Sequence, residues 1–268
     1  MQNLEQSLDD YLDDNDLGKF FPPGDNFLKN LARKAAALAS NPNSIYNDPD
    51  NVTRLTSLSL YQPVIYCDDS GSMEKDGRYE NQGHLVERIS RIATKIVPDD
   101  CGVDLRFINN DCNKRLSADE VAATYNQVRP GGVTRIGTNL HSKILEPLVY
   151  KAIEGGTFKR PVLVCIITDG APHPEAEDTL KKVILDCRSK LMEKGYESTA
   201  VMFLVSQIGN DKAAQAFLDK LREEAAIQDM LYCTTDRLDD KFKELKRAEN
   251  RLQEWLLKTL TSPIVSFD

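Results

Sequence analysis

The amino-acid sequence predicts an α/β protein: a doubly wound, mostly parallel, Rossmann-like central sheet flanked by helices, with a short helical N-terminal extension. Three observations carry that expectation. Strand-like and helix-like apolar patterns alternate from Tyr61 onward, which implies parallel strands joined by helical crossovers. One run, Pro161–Thr168 (PVLVCIIT), is apolar almost throughout, the pattern of a central strand covered on both faces. Polar loops follow the strands where such sheets bind ligands, at the carboxyl ends beside the switch point. At 268 residues the chain is long enough for one large domain of this kind. We divide it into a helical extension over 1–60, a main domain over 61–260 and a tail over 261–268.

The extension opens with a run of acids: Glu5, Asp9, Asp10, Asp13, Asp14, Asp16 and Asp25 face only Lys19, which reads as a solvated acidic arm. Asp13 to Gly18 bears a faint likeness to a calcium loop, but the likeness fails. With Gly18 on the loop glycine, Leu17 stands where Asp or Asn belongs and Gly24 where the bidentate Glu belongs. Residues Asn26–Ala39 space Phe27, Leu28, Leu31, Ala35 and Leu38 as a helix does. Phe20-Phe21-Pro22-Pro23-Gly24 breaks the chain before that helix and Asn41-Pro42-Asn43 ends it; Asn47-Asp48-Pro49-Asp50 is a second loop. The extension carries too little apolar surface to stand as a domain, so it is expected to pack on the main body.

In the main domain, Pro63–Cys67 is a short β-rich run that feeds the loop DDSGSMEKDGR. A helix follows with Leu85, Val86, Ile89, Ile92, Ala93 and Ile96 on one face. Val103–Ile108 is the second strand, Asn113–Ser117 a short antiparallel return strand, and Ala118–Val128 a helix. After Gly131-Gly132 a long helix carries Leu140, Ile144, Leu145, Leu148 and Val149. Beyond the apolar strand come a helix over Leu180–Leu191, a strand over Thr199–Val205, a helix marked by Ala213, Phe217, Leu218 and Leu221, and a strand over Met230–Thr234. One helix, Asp239–Leu260, closes the domain with Phe242, Leu245, Leu252, Trp255 and Leu256 inward.

Composition excludes several functions. A net charge of −8 argues against a nucleic-acid backbone as partner. No apolar run approaches the roughly eighteen residues of a membrane span, so no membrane partner is expected. The N-terminal MQNLEQSLDDYLDDNDLG lacks the basic and apolar regions of a signal peptide, which places the chain in the cytoplasm or the nucleus. The six cysteines include no CxxC pair and read as buried reduced thiols; the scattered His84, His141 and His173 offer no zinc site.

The chemistry lies in three loops. The first strand ends in Asp68-Asp69-Ser70-Gly71-Ser72, the central strand in Thr168-Asp169-Gly170, and between them lies Gly131-Gly132-Val133-Thr134-Arg135-Ile136-Gly137-Thr138. These loops supply hydroxyls and carboxylates, hard oxygen donors that suit Mg2+, or Mn2+ or Ca2+. Any one alone reads as a turn or helix cap; together, in this order and strand context, they resemble the von Willebrand factor type A (vWA) domain and its metal-ion-dependent adhesion site (MIDAS). Asp68-x-Ser70-x-Ser72 matches the first motif, Thr134 the threonine of the second and Asp169-Gly170 the third. The resemblance covers roughly Tyr61 to Thr235 and is greatest to stand-alone fungal members with a short helical segment before the domain.

That resemblance implies roles. Ser70 and Ser72 would ligate a divalent cation directly, Thr134 directly or through water, and Asp68 and Asp169 mainly through waters. A partner protein's Asp or Glu carboxylate would complete the shell, because neutral hydroxyls leave the dication incompletely neutralised. Thr138 competes with Thr134, since Val133 intervenes after Gly-Gly; its other role is a helix N-cap. Asp69 replaces the usual small residue and is expected to cap the following turn. Glu74, Asn110, Asp111, Arg135 and His173 would lie on loops near the metal rim. A phosphatase of the haloacid-dehalogenase type needs a second Asp where Ser70 stands, and no GxSxG elbow or base histidine occurs in these loops. The expectation is therefore cation-dependent protein binding rather than catalysis, with a magnesium-dependent hydrolase or a scaffold without a working metal site as alternatives.

Overall fold

The computed structural model describes residues 2–112 and 114–265. Its strands are β1 (Gln62–Cys67), β2 (Val103–Phe107), β3 (Lys114–Leu116), β4 (Val162–Thr168), β5 (Val201–Gln207) and β6 (Leu231–Cys233). They form one sheet in the order β3-β2-β1-β4-β5-β6, parallel throughout except where β3 returns along β2. Asn113, expected to open that return strand, lies outside the described residues. From β1 the chain winds outward to β2 and β3, then crosses back to β4 on the far side of β1. That reversal is the switch point of a Rossmann-like doubly wound sheet.

The helices are α1 (Gln2–Asp14), α2 (Asn26–Ala39), α3 (Pro49–Leu60), α4 (Arg78–Ala93), α5 (Ala118–Tyr125), α6 (Ile136–Leu140), α7 (Lys151–Glu154), α8 (Thr179–Glu193), α9 (Lys212–Arg222), α10 (Leu238–Leu245) and α11 (Glu249–Thr261). Alternate residues of each central strand feed two separate cores. Leu163, Cys165 and Ile167 of β4 join Ile65 and Cys67 of β1 on the face covered by α4, α5, α10 and α11. Val162, Val164 and Ile166 join Val64 and Tyr66 on the face covered by α6, α8 and α9. Every residue of β4 is buried, as a strand between two helical layers requires.

The extension completes the first of those layers. Leu28, Leu31, Ala32 and Ala35 of α2 and Val52, Leu55 and Leu58 of α3 are part of the same core as Ile65 and Leu105. The expected acidic arm is instead a helix docked on the body, with Leu8 and Leu12 buried in α1 and Leu17 fully buried just after it. The acids Asp9, Asp10, Asp13, Asp14 and Asp16 take the exposed side, and their density masks the helical spacing of the leucines. The expected loop at Asn47–Asp50 is likewise the start of α3: Asp48 accepts from the Asp50 N–H at 2.8 Å with Pro49 in the first turn. Thr56 and Ser59 can be buried in α3 because their hydroxyls donate to carbonyls one turn back, at 3.1 and 2.7 Å.

Two more expectations change. The single closing helix is two, broken at Ala248 (φ −120°, ψ 75°), which lets α10 pack on α4 while α11 packs on α3 and α4. α5 ends at Tyr125, short of Val128, whose N–H closes a turn onto the Tyr125 carbonyl. Between α6 and α7 the long helix continues through a π-helical segment, His141–Tyr150, containing Pro147, which has no N–H to give the helix. Of the tail, Thr261 ends α11, Ile264 is buried, and residues 266–268 lie outside the described residues.

Arg160 fixes where β1 enters the sheet, its guanidinium donating to the carbonyls of Ser59, Leu60 and Tyr61. All six cysteines are free thiols. Burial pushes Cys165, Cys187 and Cys233 up to about 12, so these behave as small hydrophobes. Among the described residues no helix is long and apolar enough to cross a membrane.

The docking of the acidic segment is testable by equilibrium denaturation. Leu17→Ala is expected to lower unfolding free energy by about 2–5 kcal/mol, whereas a solvated arm would leave it unchanged.

Candidate functional site

β1 and β4 end side by side, Cys67 opposite Ile167, so Asp68 and Asp169 leave the sheet together at the switch point. Asp68 is fully buried. One of its oxygens accepts from the Ser70 N–H at 2.8 Å and the other from the Thr168 hydroxyl at 2.7 Å. Burial pushes the Asp68 carboxyl above its ordinary value; bonds from Ser70 and Thr168 oppose the shift, and the nearby Asp169 charge adds to it.

The two serines meet in this cluster. Ser70 Oγ and Ser72 Oγ lie 3.0 Å apart, and Ser72 donates to Asp169 Oδ1 at 2.7 Å. Asp169 Oδ2 accepts from Arg78 Nη1 at 2.6 Å, a buried ion pair. The first and third motifs therefore form one connected network of Thr168, Asp68, Ser70, Ser72, Asp169 and Arg78.

Backbone bonds hold the second loop against the first: the Gly131 N–H donates to the Asp69 carbonyl at 2.7 Å and the Gly71 N–H to the Gly132 carbonyl at 3.3 Å. Thr134 is buried, and its backbone pairs in both directions with His173 of the third loop, at 2.8 and 2.9 Å. Thr138 is exposed and otherwise engaged. Its hydroxyl and N–H donate to Glu175 at 2.7 and 2.9 Å, and the Gly137 N–H donates to the same carboxylate at 2.7 Å. Glu175 thus caps the start of α6 from the third loop. Gly137 is required there, since a Cβ would fall 2.7 Å from the Leu180 nitrogen of α8.

Asp69 does not cap its own turn. Its carboxylate accepts from the Asn109 N–H at 2.7 Å, the Asn109 side-chain amide at 3.2 Å and the Asn110 N–H at 2.9 Å. Parallel pairing of Cys67 with Phe107 brings the loop after β2 alongside, and its amide groups need an acceptor. Lys143 secures the same loop from behind, donating to the carbonyls of Asn109 and Asn110 at 2.9 and 3.0 Å. Glu74, Asn110, Asp111, Arg135 and His173 are all exposed on these loops.

The participants missed by sequence reasoning are Thr168, Arg78, Asn109 and Glu175. Thr168 had a signal, standing directly before Asp169-Gly170 on the same strand. Arg78 reads as the polar first residue of a helix, and nothing local marks Glu175 as a cap for a helix that begins well before it.

The donors so gathered are hydroxyl and carboxylate oxygens. Among the described residues no group of three or more His, Cys, Asp or Glu could hold a metal ion; this network instead adds the hydroxyls of Ser70, Ser72 and Thr168 to two carboxylates. No family model matches the chain, and no curated protein matches it.

Two stability measurements test this geometry. Asp69→Ala leaves the amides of Asn109 and Asn110 without their acceptor and is expected to cost about 1–3 kcal/mol in denaturant unfolding. Ionising Asp68 opposes folding, because its folded value is raised. Its contribution is complete at pH below the ordinary carboxyl value and is lost as pH rises through the raised one. Without added cation, Asp68→Asn should therefore match the wild type at low pH and exceed its stability near neutrality; equal stability at both would refute the assignment.

Proposed function

We propose that the chain is a vWA-type module that binds a protein partner through a divalent cation, Mg2+ or Mn2+ before Ca2+. The observation that carries this reading is the pair of serine hydroxyls at the switch point, flanked by the buried Asp68 and Asp169. In octahedral magnesium sites with bonds of about 2.0–2.1 Å, adjacent ligand oxygens lie about 3 Å apart. Ser70 Oγ and Ser72 Oγ have that separation, 3.0 Å, so the donor set fits the ion.

Ser70 and Ser72 would hold the cation directly. Thr134 is the donor we assign from the second loop, because the Thr138 hydroxyl is committed to Glu175. Asp68 and Asp169, each already bonded to a loop hydroxyl or N–H, would orient the donors and offset charge around them. When bound, the cation supplies a Lewis-acidic point for an anionic oxygen, here an Asp or Glu side chain of the partner. Binding rather than hydrolysis is supported by the Ser72 contact: its hydroxyl donates to Asp169, whose other oxygen is taken by the Arg78 guanidinium, and among the described residues no histidine bonds either serine hydroxyl. The free thiols support a reducing compartment, cytoplasm or nucleus.

Calorimetric titration with MgCl2 and MnCl2 tests the reading. The wild type is expected to bind one cation, and Asp68→Ala or the double variant Ser70→Ala, Ser72→Ala to lose at least about tenfold in affinity, about 1.4 kcal/mol. Absence of binding by the wild type, or equal binding by all three, sinks it. In parallel, a pull-down should release its carboxylate-bearing partners in EDTA, and p-nitrophenyl phosphate should yield no cation-dependent phosphate.

A further inference from the structure

Arg78 is a buried cation inside the loop cluster, with no role of its own yet assigned toward the bound ion. It is 9% exposed. Nη1 donates to Asp169 at 2.6 Å, Nη2 reaches the exposed Asp76 at 3.2 Å, and buried Nε has no hydrogen-bond partner among the described residues. Its seat is shaped around it. Gly209, in the loop after β5, has φ +77°, and a Cβ there would lie 2.7 Å from Nε. The Gly209 N–H is in turn fixed by the buried Asp239 at 2.9 Å. Burying a guanidinium is costly, and here the cost is offset by its pairing with the buried Asp169 carboxylate.

The charge count around the serines shows what that charge does. Among the buried groups Asp68 and Asp169 contribute two negative charges and Arg78 one positive; Asp69 turns away to the amides of Asn109 and Asn110, and Asp76, on Arg78's other side, is exposed and screened by solvent. A dication added to the two aspartates alone would make the cluster neutral. With Arg78 present the same cluster carries one excess positive charge, which one external carboxylate cancels. Like charges repel, so a guanidinium on the carboxylate that accepts from Ser72 weakens the site for the bare ion.

We propose that Arg78 is a built-in counter-cation that couples cation binding to the arrival of an anionic ligand, weakening the site for the ion alone and leaving one positive charge for a partner carboxylate. This regulatory role rests on the cation-binding reading, and Arg78 acts as a positioning and charge-setting group rather than a ligand.

The test is calorimetric titration of the full chain with Mn2+ in sodium acetate and in sodium chloride at equal ionic strength, acetate being the probe carboxylate. The wild type should bind Mn2+ severalfold more tightly in acetate. Arg78→Gln, which keeps an amide donor for Asp169 but no charge, should bind at least about tenfold more tightly than wild type in chloride and lose the acetate gain. Arg78→Met should do the same, and Arg78→Lys should behave as wild type. A folded Arg78→Gln whose affinity and acetate gain match the wild type, or which loses binding, overturns the proposal by reducing Arg78 to a prop for Asp169. Should both neutral variants fail to fold by circular dichroism, loss of the acetate gain in Arg78→Lys overturns it and retention upholds it. A wild type that binds no Mn2+ in either salt refutes the function above and this proposal with it; a wild type that binds while Arg78→Gln matches it refutes this proposal alone.

Discussion

Parallel pairing of β1 with β4, Gln62 opposite Val162 and Cys67 opposite Ile167, sets the height at which two chain segments a hundred residues apart leave the sheet. Because the side-chain period of a strand is two, a slip of one residue would turn Cys67 and Ile167 from one core to the other and carry Asp68 away from Thr168. Both strands are buried on both faces, so no such slip can be tolerated. The register is held at its lower end by Arg160, which gathers the last carbonyls of α3 before β1 begins. At its upper end it is held by the Thr168–Asp68 bond. The geometry of the loops is thus a property of the sheet, expressed through residues that have just left it.

Each of the three loops is bonded to the other two. Asp69 and Gly71 hold the second loop through backbone groups, Ser72 reaches the third, and His173 and Glu175 of the third return to Thr134, Gly137 and Thr138. Polar groups at this depth are costly unless paired, so the pairing both locates them and limits their motion. Asp68 is the exception in energetic terms: its carboxyl is raised by burial, which marks a position where folding alone would prefer a neutral residue. A buried carboxylate of this kind, at the switch point of a doubly wound sheet, is what motivates the cation-binding proposal.

The sheet was legible from residues 61 onward because its signals are local. The all-apolar run of β4, the alternation of strand and helix and the loops after β1 and β4 each lie within a few residues. Asp68, Ser70, Ser72 and Asp169 were legible for the same reason, as strand-end residues, and the structure brings those four into one network. What escaped was set by distant partners. Asp69 bonds a loop forty residues on, Glu175 caps a helix that precedes it, and Arg78 is defined by Asp169 and Gly209 rather than by its neighbours in the chain. In the extension, α1 was hidden by acids crowding its apolar stripe and α3 by the polar residues Thr53, Thr56, Ser57 and Ser59. The break at Ala248 has no glycine or proline to announce it and lets α11 reach α3 as well as the α4 that it shares with α10.

The helical layer over one face of the sheet is assembled from both ends of the chain: Tyr11 bonds the Ile264 carbonyl, Tyr46 accepts from Gln253, and Arg54 donates to Thr261. On the ribosome, at about 5–20 residues per second, α1–α3 emerge on the order of ten seconds or more before α11 exists to meet them. During that interval the stripe of Leu8, Leu12, Leu28 and Leu31 can be covered only by what α1–α3 offer one another, without the sheet or α11. The same helix that carries Leu8 and Leu12 carries Asp9, Asp10, Asp13 and Asp14 on its other side. Surface charge of one sign disfavours association. The acids that contribute nothing to the finished core thus add solubility to the segment that is made first.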